Sequence, residues 1–139
     1  MNKIRMIALA ACMAATLDAA AQEQEIRLFS HRGGRMEHDE NTLSAFQASY
    51  DAGYRGFETD IRMTRDGALV ITHDSSLERT TDGTGTVEEK TEAEIRRLRT
   101  KQGNKVLFLD ELLEFLKGKE GLYVEFEMKT KPEVLYPEE

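Results

Sequence analysis

The sequence predicts an α/β fold with a mainly parallel sheet, closed in the manner of a barrel rather than opened in the manner of a doubly wound sheet. Three observations carry this expectation. Apolar strand-like runs alternate with amphipathic helical stretches along the 139 residues, the pattern of a parallel sheet. Two of the strands, around Glu58 and around Glu127, place carboxylates on one face and apolar side chains on the other. A doubly wound sheet meets helices on both faces and wants both apolar, whereas strand ends at the mouth of a barrel carry polar residues.

The elements follow from local signals. Ile26 to Ser30 reads as a short strand running into the polar, glycine-rich loop His31-Arg32-Gly33-Gly34. Asn41 or Thr42 caps a helix extending to about Ala52, with Leu43, Phe46 and Tyr50 at helical spacing and Gly53 as its stop. Gly56 to Met63 alternates, Phe57, Thr59, Ile61 and Met63 on one side and Glu58, Asp60 and Arg62 on the other. Asp66-Gly67 is a tight-turn signal before the apolar run Ala68 to Thr72. So short a connection cannot make a parallel crossover. An antiparallel hairpin is therefore expected, bringing His73 back beside Glu58. A polar Thr- and Gly-rich loop follows from Ser75 to Thr86, then a capping box at Thr91 and Glu94 opening a helix to about Arg99. Leu109 to Lys117 is a further helix, with Leu112, Leu113 and Leu116 as its apolar stripe and Gly118 as its stop. Leu122 to Lys129 alternates again: Leu122, Val124, Phe126 and Met128 oppose Tyr123, Glu125, Glu127 and Lys129. No internal repeat and no Pro-rich or Gly/Ser linker interrupts this order.

Composition narrows the function classes. A formal charge of −7 argues against a nucleic-acid partner, which requires a basic face, and no mature segment is long and apolar enough to span a membrane. The N-terminus reads as an export signal. Lys3 and Arg5 form the basic start, Met6 to Leu17 the apolar run, and Ala19-Ala20-Ala21 the small residues before cleavage after Ala21. A buried N-terminal helix is the plainer alternative, but it does not account for the basic start or the polar Gln22-Glu23-Gln24. The single cysteine, Cys12, falls inside the signal, so residues 22–139 contain neither a disulfide nor a thiol nucleophile. Leu9-Ala10-Ala11-Cys12 also admits a lipoprotein reading, and both readings place the protein outside the cytoplasm, in the periplasm or the medium.

Several residue types have chemistry to offer. Glu58 and Asp60, two apart on a strand, share a face, and Glu127 holds the matching place on a later strand. Three converging carboxylates repel one another unless a positive charge sits between them, and a hard divalent cation such as Ca²⁺ or Mg²⁺ prefers oxygen ligands. Taken alone, the same acids also fit a solvated strand face. His31 and His73 each follow an apolar strand directly, and imidazole titrates near neutrality, so the two can serve as base and acid. Arg32 can fork onto phosphate oxygens, and the glycines after it let backbone approach a ligand. Lys129 shares the face of Glu127. His38 has no partner pattern and reads as a loop residue.

It is the order of these weak signals that discriminates. His31-Arg32-Gly33, Glu40-Asn41-Thr42, Glu58-x-Asp60, His73-Asp74 and Glu127-x-Lys129, with Arg79-Thr80-Thr81-Asp82-Gly83-Thr84-Gly85 and Leu109-Asp110-Glu111-Leu112-Leu113 between them, resemble the glycerophosphodiester phosphodiesterase family from Ile26 to Lys129. The resemblance implies a (β/α)₈ barrel that cleaves small-molecule glycerophosphodiesters to glycerol 3-phosphate and an alcohol. It implies that Glu58, Asp60 and Glu127 hold the metal and that His31 and His73 are the acid/base pair. Arg32 and Lys129 would bind the phosphate, and Glu40 would support the His31 loop. The implied reaction starts with attack of the substrate's own glycerol hydroxyl on phosphorus, and water then opens the cyclic phosphate. Two positions depart from the pattern: Asp39 stands where the family usually has proline, and Glu125 where it often has a neutral polar residue.

A barrel of this kind takes roughly 250 residues, so 22–139 is expected to be an incomplete one lacking its C-terminal half. Three other readings remain open at this point. One is a half-barrel that binds a phosphodiester or a partner without turnover. Another is a related phosphodiesterase acting on lysophospholipid or phosphoinositide. The third is a glycosidase using Glu58 and Glu127 as its carboxylate pair, which leaves both histidines and the Arg-Gly loop unexplained.

Overall fold

A computed structural model describes residues 26–129; the expected export signal lies outside the described residues. The elements are β1 (Phe29–His31), α1 (Leu43–Asp51), β2 (Gly56–Met63), β3 (Leu69–Ile71), α2 (Glu92–Ile95), α3 (Leu109–Leu116) and β4 (Tyr123–Met128), with a single 3-10 turn at Val87–Glu89.

The sheet is built around β2. β1 runs parallel to it, His31 level with Glu58, and β4 runs parallel along its length from Gly56↔Tyr123 to Ile61↔Met128. β3 returns antiparallel, Ile61 opposite Ile71 and Met63 opposite Leu69, as the Asp66-Gly67 turn requires. Because β4 occupies one edge of β2 throughout, β1 and β3 must share the other edge, one after the other. Arg32 N–H donates to Glu58 O at 2.9 Å where β1 leaves, and Thr72 N–H donates to Asp60 O at 3.0 Å where the hairpin arm meets β2. The two chain segments that carry His31 and His73 thus abut at the middle of β2.

Two apolar clusters hold this arrangement. Phe46, Phe57, Ile61, Ile71, Leu107 and Leu112 form the first, between the sheet and helices α1 and α3. Val70, Leu77, Val87, Ile95, Val106 and Phe108 form the second, under the long loop. Successive residues of β3 point to opposite faces, so Ile71 enters one cluster and Val70 the other. Burying a residue such as Phe57 or Leu112 contributes about 1.5–3 kcal/mol relative to leaving it exposed.

Local signals misplace some boundaries and faces. β1 starts at Phe29 rather than Ile26 and includes His31, because pairing with β2 begins only at Phe29↔Gly56. α1 buries Ala45, Phe46 and Ser49, while Leu43 is exposed. α2 ends at Ile95, not near Arg99. There the backbone leaves the helix to exchange bonds with Asp82, Asp82 N–H to Arg99 O and Arg99 N–H to Asp82 Oδ1, both 2.9 Å. In α3 Leu113 is 47% exposed and Leu112 wholly buried; Leu109, Phe115 and Leu116 complete the inward face. Leu122, just before β4, and Val124 on it pack on the first cluster, but Phe126 and Met128 stay exposed.

Candidate active site

The loop after β1 turns sharply through residues with positive φ: Arg32 at 54°, Gly33 at 76°, Gly34 at 90° and, at its end, Asn41 at 56°. Left-handed backbone is costly for Arg and is paid back by what it positions. Gly33 is required on a second count, since a Cβ there would lie 2.8 Å from the Ala45 Cβ of α1. The turn drives the Arg32 side chain inward, where its Nη1 lies 3.3 Å from Glu40 Oε1 and its Nε 3.2 Å from Asp60 Oδ2. The second contact is an ion pair without hydrogen-bond alignment, because Arg32 Nε has no hydrogen-bond partner. Asn41 clamps the same carboxylate, its Nδ2 donating to Asp60 Oδ2 at 3.0 Å and its Oδ1 accepting from Thr59 Oγ1 at 2.9 Å.

Asp60, Glu58 and Glu127 come together as the sequence predicts. Each offers a carboxylate oxygen, and these oxygens all lie within 4.8 Å of one another. Parallel pairing explains this: Asp60 is level with Glu127 on β4, and Glu58 is two residues back on the same face of β2. Glu125 is level with Glu58 yet does not join the cluster. Asp60 is wholly buried. Burial, and then the neighbouring Asp60 charge, push the Glu58 carboxyl above its usual range. Lys129 partly offsets the negative charge, donating to Glu127 Oε1 at 2.6 Å and lying 3.5 Å from Asp60 Oδ1. That bond holds the Glu127 carboxyl low and the Lys129 ammonium high. Glu58 Oε2 and Asp60 Oδ1 are nevertheless buried with no hydrogen-bond donor. Two buried acceptors without donors, in a cluster made entirely of oxygen, fit a hard divalent cation.

The histidines flank this cluster. His31 Nε2 is 3.5 Å from Glu58 Oε2. His73 enters the site from the β3 arm of the hairpin. The ladder continues by one bond to Asp60 O and carries His73 past that point, near enough to Glu127 to help lower its carboxyl after Lys129 does. His73 Nδ1 bonds Asp74 Oδ1 at 2.6 Å, and its carbonyl accepts from Arg62 Nε at 2.8 Å. Arg62 also donates to Lys129 O and to Glu88 Oε1, both at 2.8 Å, so one part-buried guanidinium ties the segment after β3 to the end of β4.

Several contributors escape the sequence reading. Asn41 stands there in the Glu40-Asn41-Thr42 motif and as a helix cap, with no sign of its clamp on Asp60, and Arg62 only as a member of the polar face. Arg79 forks onto Glu40 at 2.8 and 2.9 Å and also bonds Asp74, holding the Asp74 carboxyl down to about 2 and lowering that of Glu40. Asp39, the departure from proline, bonds Thr100 Oγ1 and accepts from Asn104 Nδ2 at 2.8 Å, so the loop is tied down by side-chain bonds where a ring would have stiffened it.

An acid cluster flanked by histidines, toward the C-terminal ends of parallel strands, is the site layout of a (β/α)₈ barrel enzyme. Known proteins agree. The model of the glycerophosphoryl diester phosphodiesterase family matches residues 31–139. A glycerophosphodiester phosphodiesterase of Caldanaerobacter subterraneus subsp. tengcongensis is 36% identical over 117 residues, 79% of this chain and 47% of the relative. A crystal structure of glycerophosphodiester phosphodiesterase from Agrobacterium tumefaciens superposes with a TM-score of 0.69 at 34% identity, covering 75% of this chain and 47% of that one. An Oleispira antarctica phosphodiesterase in complex with the product sn-glycerol-3-phosphate gives a TM-score of 0.69 at 30% identity, covering 75% of this chain and 44% of that one. The chain belongs to the glycerophosphoryl diester phosphodiesterase family, and its sheet is a sector of that family's barrel. It spans about half the length of these relatives.

Proposed function

We propose that the protein hydrolyses glycerophosphodiesters to glycerol 3-phosphate and an alcohol, outside the cytoplasm, using His31 and His73 as acid and base. The observation that carries this reading is the shared space of Glu58, Asp60, Glu127 and the two imidazoles. Family membership and the product-bound Oleispira antarctica relative support the substrate class. Among the described residues no helix is long and apolar enough to cross a membrane.

Glu58, Asp60 and Glu127 are the residues that would hold Ca²⁺ or Mg²⁺, and the bound ion would supply charge neutralisation at the phosphoryl oxygens. Arg32 and Lys129 add positive charge beside the same carboxylates and orient the phosphate. One histidine removes the proton of the attacking glycerol hydroxyl while the other protonates the departing alcohol. Water then opens the cyclic phosphate with the roles exchanged. Purified protein should release glycerol 3-phosphate from glycerophosphocholine and lose that activity to a chelator. Turnover that ignores the chelator refutes the metal assignment, and no turnover with the metal restored refutes hydrolysis. A second reading, phosphodiester binding without turnover, is favoured by one observation. β4 pairs only with β2 among the described residues and leaves Phe126 and Met128 exposed. It predicts saturable binding with no product.

A further inference from the structure

Around the acid cluster runs a chain of charged side chains, three of which, Glu40, Arg79 and Asp74, have no part in the acid/base scheme. Asp60 contacts Arg32, Arg32 contacts Glu40, Glu40 is forked by Arg79, Arg79 bonds Asp74, and Asp74 bonds His73. Its centre is Arg79. This residue lies in the long loop after β3, and its guanidinium donates to carboxylates on two separate segments. Nη1 and Nη2 reach Glu40 Oε2 and Oε1 at 2.9 and 2.8 Å, in the β1–α1 loop, and Nε reaches Asp74 Oδ2, just after β3. Each carboxylate spends its other bond on a site residue, Glu40 on Arg32 and Asp74 on His73 Nδ1.

We infer that Arg79 is a positioning residue that locks Asp74 against His73 Nδ1, so that the other ring nitrogen, Nε2, faces the acid cluster, and that it ties this clamp to the Arg32 loop through Glu40. The assignment rests on the hydrolytic reading for its purpose but not for its geometry. A carboxylate that accepts from Nδ1–H selects one tautomer of a neutral imidazole and fixes the ring's direction. Only a planar fork reaches both carboxylates at once; a lysine ammonium is a single point of charge and serves one of them. A role limited to surface stability is a poor account of this geometry. Arg79 is 47% exposed, and an exposed ion pair contributes about 0–1 kcal/mol.

The test reads the ring nitrogens of His73 directly, by long-range ¹H–¹⁵N correlation on the full-length protein at a pH where the ring is neutral. The wild type should show the Nδ1–H tautomer, and Arg79→Gln should show a mixture with the Nε2–H form. Should Arg79→Gln lose its fold, as judged by circular dichroism, Arg79→Met keeps the length of the stem without the charge and carries the same measurement. In turnover, either variant should lower kcat roughly 10- to 100-fold, the usual scale for an orienting partner, with KM little changed. An Nε2–H tautomer in the wild type, or an unchanged Nδ1–H tautomer in the folded variant, overturns the inference. The tautomer measurement needs no turnover, so it decides the role of Arg79 even if hydrolysis itself were refuted.

Discussion

Replacing Asn41 by alanine tests how Asp60 is held. The side chain makes two buried hydrogen bonds, donating to Asp60 Oδ2 at 3.0 Å and accepting from Thr59 Oγ1 at 2.9 Å, and Asp60 and Thr59 are both fully buried. Losing the bond to the carboxylate costs about 1.5–3 kcal/mol and losing the neutral one about 1 kcal/mol. The backbone at Asn41 has φ 56°, a conformation that costs alanine roughly 1–2 kcal/mol and that asparagine tolerates better. Asn41→Ala should therefore destabilise the protein by about 3–5 kcal/mol, read as a lower urea midpoint at unchanged m-value. Asn41→Gly removes the same bonds without the left-handed penalty and should recover about 1 kcal/mol of that loss. A destabilisation under about 1 kcal/mol for Asn41→Ala would show that Asp60 does not depend on this clamp.

Other consequences are as direct. Glu127→Gln should weaken divalent-ion binding at least about tenfold in calorimetry, whereas Glu125→Gln, outside the cluster, should leave it within a few-fold. Gly33→Ala should cost about 2–4 kcal/mol in thermal unfolding, since a Cβ there meets Ala45 Cβ at 2.8 Å and φ is 76°. Leu112→Ala should cost about 2–5 kcal/mol, but Leu113→Ala, at a half-exposed position, under about 1 kcal/mol. Asp74 is held by Arg79 at about 2 against an ordinary 3.8. A depressed carboxyl stabilises above its unfolded value and loses that contribution as pH falls through its folded one. Asp74→Asn should thus be less stable than wild type by roughly 1 kcal/mol near neutrality, allowing for the exposed partner, with the gap closing between about pH 4 and pH 2.

How much of this was legible without coordinates differs by residue. The alternation in Gly56 to Met63 correctly puts Glu58 and Asp60 on one face, because a strand has a side-chain period of two whatever it pairs with. Asp66-Gly67 correctly demands an antiparallel return, since a tight turn permits nothing else. Leu112 and Leu113 look equally apolar in sequence, but α3 presents only one of them to the first cluster. The direction of that face is set by where the sheet lies. Arg79 stands 39 residues from Glu40, and nothing local marks the two as partners.

The chain's own order of residues was enough to determine the strand faces, the turn, the residues of the acid cluster and the family to which they belong, because each is written in short-range spacing. Only the tertiary structure decided that β1 and β3 share one edge of β2, that Arg62 donates to the carbonyls of both His73 and Lys129, and that Arg79 joins the two loops. Those facts depend on register and packing between segments far apart in sequence. The free energy of such contacts exists only once the chain has brought the segments together.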